Sequence, residues 1–128
     1  MVVEHEFGEA VIEAYKIGEE LGSGSFSTVH AAVQKSLNRK VAIKLLRAER
    51  LHSDDTLRRF KREAELLSQI SHPNVVKIYD YGIDGKRPYI VQEYVEGVTL
   101  EDILEEKGRV PLEETTRIVD SICVALEE

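Results

Sequence analysis

Two glycines separate two strand-like segments near the start of this chain. Gly22 and Gly24 follow a strand-like segment at residues 15–21, and residues 28–33 form its expected antiparallel partner. Dinucleotide-binding and phosphate-loop folds need a helix directly after such glycines. Here a second strand follows, and the Gly-Lys-Ser/Thr ending of a phosphate loop is absent. The turn therefore predicts a β-hairpin and excludes those two folds.

Apolar periodicity predicts three further strands, so we expect an α+β fold with a five-stranded antiparallel sheet. A turn at residues 37–39 joins the hairpin to the next strand. Asp84-Gly85 is typical of a tight turn between the last two strands. The three further strands are predicted at residues 40–46, 76–81 and 89–94.

One helix is predicted to pack on this sheet, and two more helices follow. Apolar residues recur at helical spacing between Leu57 and Ile70. Ser53 or Asp54 is the expected N-cap, and the helix should end before Pro73, which disfavours helical geometry in the preceding residue. The last two helices are predicted at residues 100–107 and from Pro111, in the first turn, to the end of the chain.

Two charged residues fall on faces that this fold buries. Lys44 ends the strand sequence Val-Ala-Ile-Lys, and Glu63 lies within the apolar stripe of the packed helix, whereas Glu65 faces water. A lysine at a strand end commonly extends its ammonium group to solvent. A carboxylate facing a core needs a partner, however, and an ion pair between Lys44 and Glu63 accounts for both positions. Such a pair can hold the ammonium group toward the phosphates of a nucleotide.

These features together resemble the eukaryotic-like protein kinase family, most closely its bacterial serine/threonine members. The resemblance runs from about Tyr15 to the end of the chain. Its carriers are the turn of the form Gly-x-Gly-x-x-Gly-x-Val, the Val-Ala-Ile-Lys strand, Arg-Glu-Ala, His-Pro-Asn-Val-Val and residues 89–94. Ser27 stands where the third glycine of the turn belongs.

The resemblance implies a site for ATP. Lys44 and Glu63 would be the catalytic pair, with the lysine on the α- and β-phosphates. Val29 and Ala42 would line the adenine pocket, Gln92 would be the gatekeeper, and the residues after it would form the hinge that pairs with adenine. The full set of implied ATP-binding residues is Leu21, Gly22, Ser23, Gly24, Ser25, Phe26, Ser27, Val29, Ala42, Lys44, Gln92, Glu93, Tyr94 and Val95.

The other half of the family's machinery is absent from the sequence. No histidine begins a His-Arg-Asp motif, and no aspartate is followed by Phe-Gly. In the family these motifs carry the base for the substrate hydroxyl and an aspartate that binds Mg²⁺. We therefore expect the N-terminal portion of a serine/threonine protein kinase, inactive alone, with no metal site of its own. The alternative is a non-catalytic kinase-like module that docks on a partner kinase.

The resemblance also implies a division of the chain. We expect an N-terminal extension at residues 1–14, whose structure the sequence does not decide, and a small lobe at residues 15–95. Residues 96–128 would form the hinge exit and the first helices of an incomplete large lobe. The last helix carries an apolar stripe with little chain left to cover it, which makes self-association a further hypothesis.

Charge and cysteine content restrict the partners and the compartment. The chain has 24 acidic and 17 basic residues, and its net charge of -7 argues against general affinity for nucleic acid or an anionic membrane. The single Cys123 cannot form an internal disulfide, and no signal-peptide pattern opens the chain. We therefore expect a cytoplasmic protein whose partners are ATP and a protein substrate.

Overall fold

The structure, a computed structural model, describes residues 7–47, 54–84 and 87–127, which fall into two units. The first unit comprises Met1–Gln69 and Lys77–Tyr94, and the second comprises Ile70–Val76 and Val95–Glu128. In chain order the elements are α1 (Glu9–Ala14), β1 (Tyr15–Ser23), β2 (Ser27–Gln34), β3 (Arg39–Leu46), α2 (Asp54–Ser68), β4 (Ile78–Asp84), β5 (Arg87–Glu93), α3 (Leu100–Lys107) and α4 (Leu112–Leu126).

The five strands form one antiparallel sheet in the order β1-β2-β3-β5-β4. The predicted α+β fold with a five-stranded sheet is therefore confirmed. Arg39, predicted in a turn, instead begins β3, because Asn38 completes the turn with a φ of 49°. β4 begins two residues later than predicted, since a turn that bonds the Val75 N–H to the His72 carbonyl precedes it. Of the predicted Asp84-Gly85 turn, Gly85 lies outside the described residues.

Helix α2 packs on one face of the sheet. Phe60 and Ala64 on the helix meet Leu46 and Ile90 on the sheet, and all four side chains are buried. Spacings of four residues along the helix place Phe60 and Ala64 on one side, as the apolar pattern predicts. The helix ends at Ser68, so the assignment of Ile70 to its apolar stripe is wrong. Asp54 lies in the first turn, and the alternative cap Ser53 is outside the described part of the chain.

Helix α1 covers the opposite face of the same sheet. The sequence left residues 1–14 undecided, yet Phe7 and Val11 are buried in the second apolar core. The backbone N–H of Val11 donates to Asp84 Oδ2 at 2.8 Å, which ties the helix to the far end of β4. The buried members of this core are Phe7, Val11, Tyr15, Ile17, Ala32, Val41, Ile43, Leu45 and Val91.

The second unit contains α3 and α4. α3 has the predicted bounds because both ends are capped: Thr99 and Asp102 form a reciprocal capping box, and Gly108 ends the helix with a φ of 75°. Pro111 is the N-cap residue of α4 rather than part of its first turn, since its ψ of 148° is not helical. Within this unit, Asn74 donates a side-chain hydrogen bond to the Ser121 carbonyl at 2.9 Å.

Substitution of Gly8 by alanine should destabilise the first unit. A Cβ atom at this position would overlap the Asp84 carboxylate that accepts the Val11 N–H. We expect Gly8→Ala to lower the free energy of unfolding in urea by about 1–2 kcal/mol, as overpacking does. Glu13→Ala, on the exposed side of the same helix, is the matched control. Equal unfolding free energies for the two variants would contradict the docking of α1.

Loss of protons from three tyrosines should lower the stability of the folded protein at high pH. Burial, and then the nearby Asp80, raises the pKa of Tyr15 and Tyr89 above its usual 10.0, and burial followed by Glu65 raises the pKa of Tyr81. Unfolded tyrosines lose their protons near pH 10 while the folded protein still binds them, so the free energy of unfolding should fall as pH rises above about 10. Urea denaturation between pH 8 and 11 measures this slope. Tyr89→Phe should reduce it, and an unchanged slope in that variant would contradict the assignment.

Candidate functional site

The register of β3 places four predicted site residues on one face of the sheet. Lys44 pairs with Val29 on β2, and Ala42 pairs with Gln92 on β5. Paired residues of antiparallel strands point to the same side, and residues two apart along a strand share that side. The side chains of all four therefore lie on the face that α2 covers.

An ion pair joins this face to α2. Lys44 Nζ donates to Glu63 Oε1 at 2.6 Å, so the predicted ion pair is present. The exposed fractions of the two side chains are 23% and 42%, so the pair is partly open to solvent. An ammonium group has three N–H donors, so Lys44 can donate to a further acceptor in addition to Glu63.

The glycine turn forms a closed lid at residues 21–27. The Gly24 N–H donates to the Ser27 carbonyl at 2.8 Å, which closes the turn. Arg47, directly after β3, donates its backbone N–H to the Phe26 carbonyl at 2.7 Å and its Nε to the Gly24 carbonyl at 2.8 Å. The lid is therefore bonded to the strand that carries Lys44.

A cavity of about 290 Å³ lies beside the lid and the ion pair. Its walls come from the tip of the lid, from the end of β3 and from one side of α2. Six predicted site residues and four other residues line this cavity. The lining residues are Gly24, Ser25, Phe26, Ser27, Lys44, Leu46, Thr56, Arg59, Phe60 and Glu63.

Several predicted residues do not line this cavity. Val29 and Ala42 share its face of the sheet, whereas Leu21, Gly22 and Ser23 lie on the exposed end of β1. Their proposed contacts with a nucleotide stay predictions. The remaining predicted residues outside the cavity are Gln92, Glu93, Tyr94 and Val95.

The predicted hinge starts within β5. The Glu93 N–H donates to the Lys77 carbonyl at 2.8 Å, and the Glu93 carboxylate accepts from the Lys77 N–H at 3.2 Å. The Lys40 ammonium group lies 4.1 Å from the centre of the Tyr94 ring. Val95 belongs to the second unit and is exposed. Hydrogen bonds and a cation–π contact thus fix the last residues of the first unit.

Sequence reasoning missed five residues at the lid or cavity: Leu46, Arg47, Thr56, Arg59 and Phe60. Helical spacing contained the signal for Arg59, which lies one turn before Glu63 on α2. The contact between Arg47 and the lid depends instead on the exact register of β2 and β3. That register was not specified by the apolar pattern alone.

Within residues 7–47, 54–84 and 87–127, no three His, Cys, Asp or Glu side chains are grouped so that they could hold a metal ion. None of the helices in those ranges is long and apolar enough to cross a membrane.

The five-stranded sheet, the glycine lid and the lysine–glutamate pair between sheet and helix together define the small lobe of a protein kinase. The sequence matches the protein kinase domain family over residues 15–128, and the chain belongs to this family.

Among curated relatives, the chain is 41% identical over 120 residues to a probable serine/threonine-protein kinase of Clostridium perfringens. It is 41% identical over 118 residues to the serine/threonine-protein kinase PknB of Mycobacterium leprae, and 38% identical over 119 residues to PrkC of Bacillus subtilis. These matches cover 94%, 89% and 93% of this chain. They cover only 18%, 19% and 18% of the relatives, so the chain spans less than a fifth of their length.

The ion pair should contribute little to stability. Because both side chains are partly exposed, solvent screens their attraction. In a double-mutant cycle with Lys44→Met and Glu63→Gln, we expect a coupling free energy of about 0.5 kcal/mol, measured by urea denaturation. A coupling above about 2 kcal/mol would indicate a structural pair and contradict this expectation.

Proposed function

We propose that this chain is the ATP-binding N-terminal portion of a serine/threonine protein kinase, which transfers the γ-phosphate of ATP to protein hydroxyl groups. The observation that carries the proposal is the 2.6 Å ion pair between Lys44 and Glu63 beside the glycine lid. Membership of the protein kinase domain family and the names of the relatives support the reaction class.

Each residue of the pair has a distinct role in this proposal. The Lys44 ammonium group binds the α- and β-phosphates, and Glu63 accepts one of its N–H groups so that the lysine keeps one orientation. The lid at residues 21–27 covers the phosphates with backbone N–H groups, which glycine leaves accessible. Positive charge and N–H donors together stabilise the negative charge that the transferred phosphoryl group carries.

The adenine would bind away from the cavity. Val29 and Ala42 would supply an apolar surface for the ring, Gln92 would be a polar gatekeeper, and backbone groups of residues 93–95 would pair with its edge. The cavity of about 290 Å³ lies at the small end of ligand sites, which are commonly about 300–1,000 Å³. This volume suits the phosphates and not a whole nucleotide, so we propose that the chain alone binds ATP weakly.

The proposal places the Mg²⁺ ligands outside this sequence. Among the described residues that line the cavity, Glu63 has the one carboxylate, and it is bonded to Lys44. The sequence also has neither a His-Arg-Asp nor an Asp-Phe-Gly motif. In protein kinases such motifs hold the metal ions and the substrate hydroxyl. We therefore propose that phosphate transfer needs these motifs from the rest of a kinase domain.

Phosphate transfer from labelled ATP with Mg²⁺ to a generic protein acceptor tests the proposal. It is measured for this chain and for a version that continues through a complete large lobe, and transfer is expected only in the longer version. There, Lys44→Met should reduce turnover at least about 100-fold and Glu63→Gln about tenfold, because phosphate stabilisation and lysine orientation are lost.

The matched controls are Lys61→Met and Glu65→Gln. These residues form a 3.9 Å ion pair on the exposed side of α2, so both variants should keep full turnover. Unchanged turnover in Lys44→Met or Glu63→Gln would refute the assigned roles. Transfer by the short chain would refute its catalytic incompleteness.

A second candidate function is a non-catalytic module that docks on a partner kinase. The observation that favours it is an apolar groove of about 380 Å³ in the second unit, between α3 and α4. Leu104, Val119 and Ile122 on these helices are each about half exposed. Absence of transfer in both versions of the protein would favour this function. Self-association through α4, the lack of nucleic-acid binding and a cytoplasmic location stay predictions.

A further inference from the structure

Arg47 bonds to the tip of the lid through both its side chain and its backbone. Its Nε donates to the Gly24 carbonyl at 2.8 Å, while its backbone N–H donates to the Phe26 carbonyl at 2.7 Å. A guanidinium donor is charged, and such hydrogen bonds are stronger than neutral ones. Arg47 thus contacts two carbonyl groups of the lid, three residues after Lys44 on the same segment.

The two bonds depend differently on the side chain. The backbone bond extends the β2–β3 ladder by one step beyond the Ser27–Leu46 pair, so most residues at position 47 would keep it. The bond to Gly24 needs the length and the Nε–H of arginine. Replacing only the side chain therefore separates the lid tip from the strand without removing the ladder.

Gly22 and Gly24 of the lid are surrounded by open space. A Cβ atom added at Gly22 or Gly24 would meet no atom within 4 Å, and residues 21–26 are exposed. Glycine backbones have high conformational freedom, which a ligand must restrict when it binds. A hydrogen bond that already restricts Gly24 lowers this cost.

We propose that Arg47 is a positioning residue for the triphosphate of the nucleotide. Its guanidinium group holds the lid tip over the cavity that contains Lys44, so that lid and lysine are positioned by one segment before the nucleotide arrives. The inference rests on the proposed function, since it assigns the lid to phosphate binding. It adds a residue outside the set that carries the family resemblance.

Hydrogen exchange of the 128-residue chain without nucleotide tests the lid bond directly. We expect the amides of residues 22–27 to exchange about fivefold faster in Arg47→Gln, because the lid opens more often. Arg39→Gln is the matched control: Arg39 begins the same strand, and its Nε donates to Gln34 Oε1 at 3.1 Å, far along β3 from the lid. Unchanged lid exchange in Arg47→Gln would overturn the inference.

Titration with ATP and with adenosine, followed by NMR, tests the consequence for binding. The Kd for ATP should rise about fivefold in Arg47→Gln and stay unchanged in Arg39→Gln, whereas the Kd for adenosine should not change in either. Arg47→Lys keeps the charge and loses the Nε–H, so it should resemble Arg47→Gln. Full ATP affinity in Arg47→Lys would show a charge effect alone and overturn the positioning role.

A Lys44→Met arm separates this inference from the proposed function. Loss of ATP affinity in Lys44→Met with no change in Arg47→Gln would overturn the inference and leave the proposed function intact. Equal Kd values for ATP and adenosine in the unaltered chain would refute the proposed phosphate site itself. The exchange experiment would still decide whether Arg47 holds the lid.

Discussion

The position of Lys44 depends on the burial of β3 on both faces. Alternate residues of this strand enter different cores: Ile43 and Leu45 pack beneath α1, and Leu46 packs beneath α2. A shift of one residue would exchange the two sets, moving the lysine into an apolar core and the apolar side chains toward the cavity. The two cores together therefore specify the register that brings the ammonium group to Glu63. Packing on both faces of β3 therefore fixes where the ion pair forms.

Much of this arrangement could be predicted because it follows from local periodicity. The hairpin, the five strands and the bounds of α3 come from alternation, turn residues and caps that lie close together in the sequence. The ion pair was predicted for a different reason, since two charged residues on buried faces had one shared explanation. Its role in ATP binding rests on the family resemblance and stays a proposal.

The features that the sequence did not predict depend mainly on contacts between distant parts of the chain. α1 has only six residues, and its docking relies on a hydrogen bond from Val11 to Asp84, 73 residues further along the chain. No pattern among neighbouring residues of the sequence indicates that Asp84 is the partner of Val11. The end of α2 at Ser68 was missed because Ile70 continued the apolar spacing beyond the helix. The arginine bond to the lid needed the register of two strands and the path of a glycine turn, neither of which apolar periodicity specifies.

The docking of α1 also bears on where the folded unit begins. The family match starts at Tyr15, after the last residue of this helix. A recombinant protein started at that boundary would lack Phe7 and Val11 and would uncover apolar side chains such as Ile43. Exposed apolar sheet surface promotes aggregation. For this chain, the region that matches the family therefore begins later than the region that packs as one folded unit.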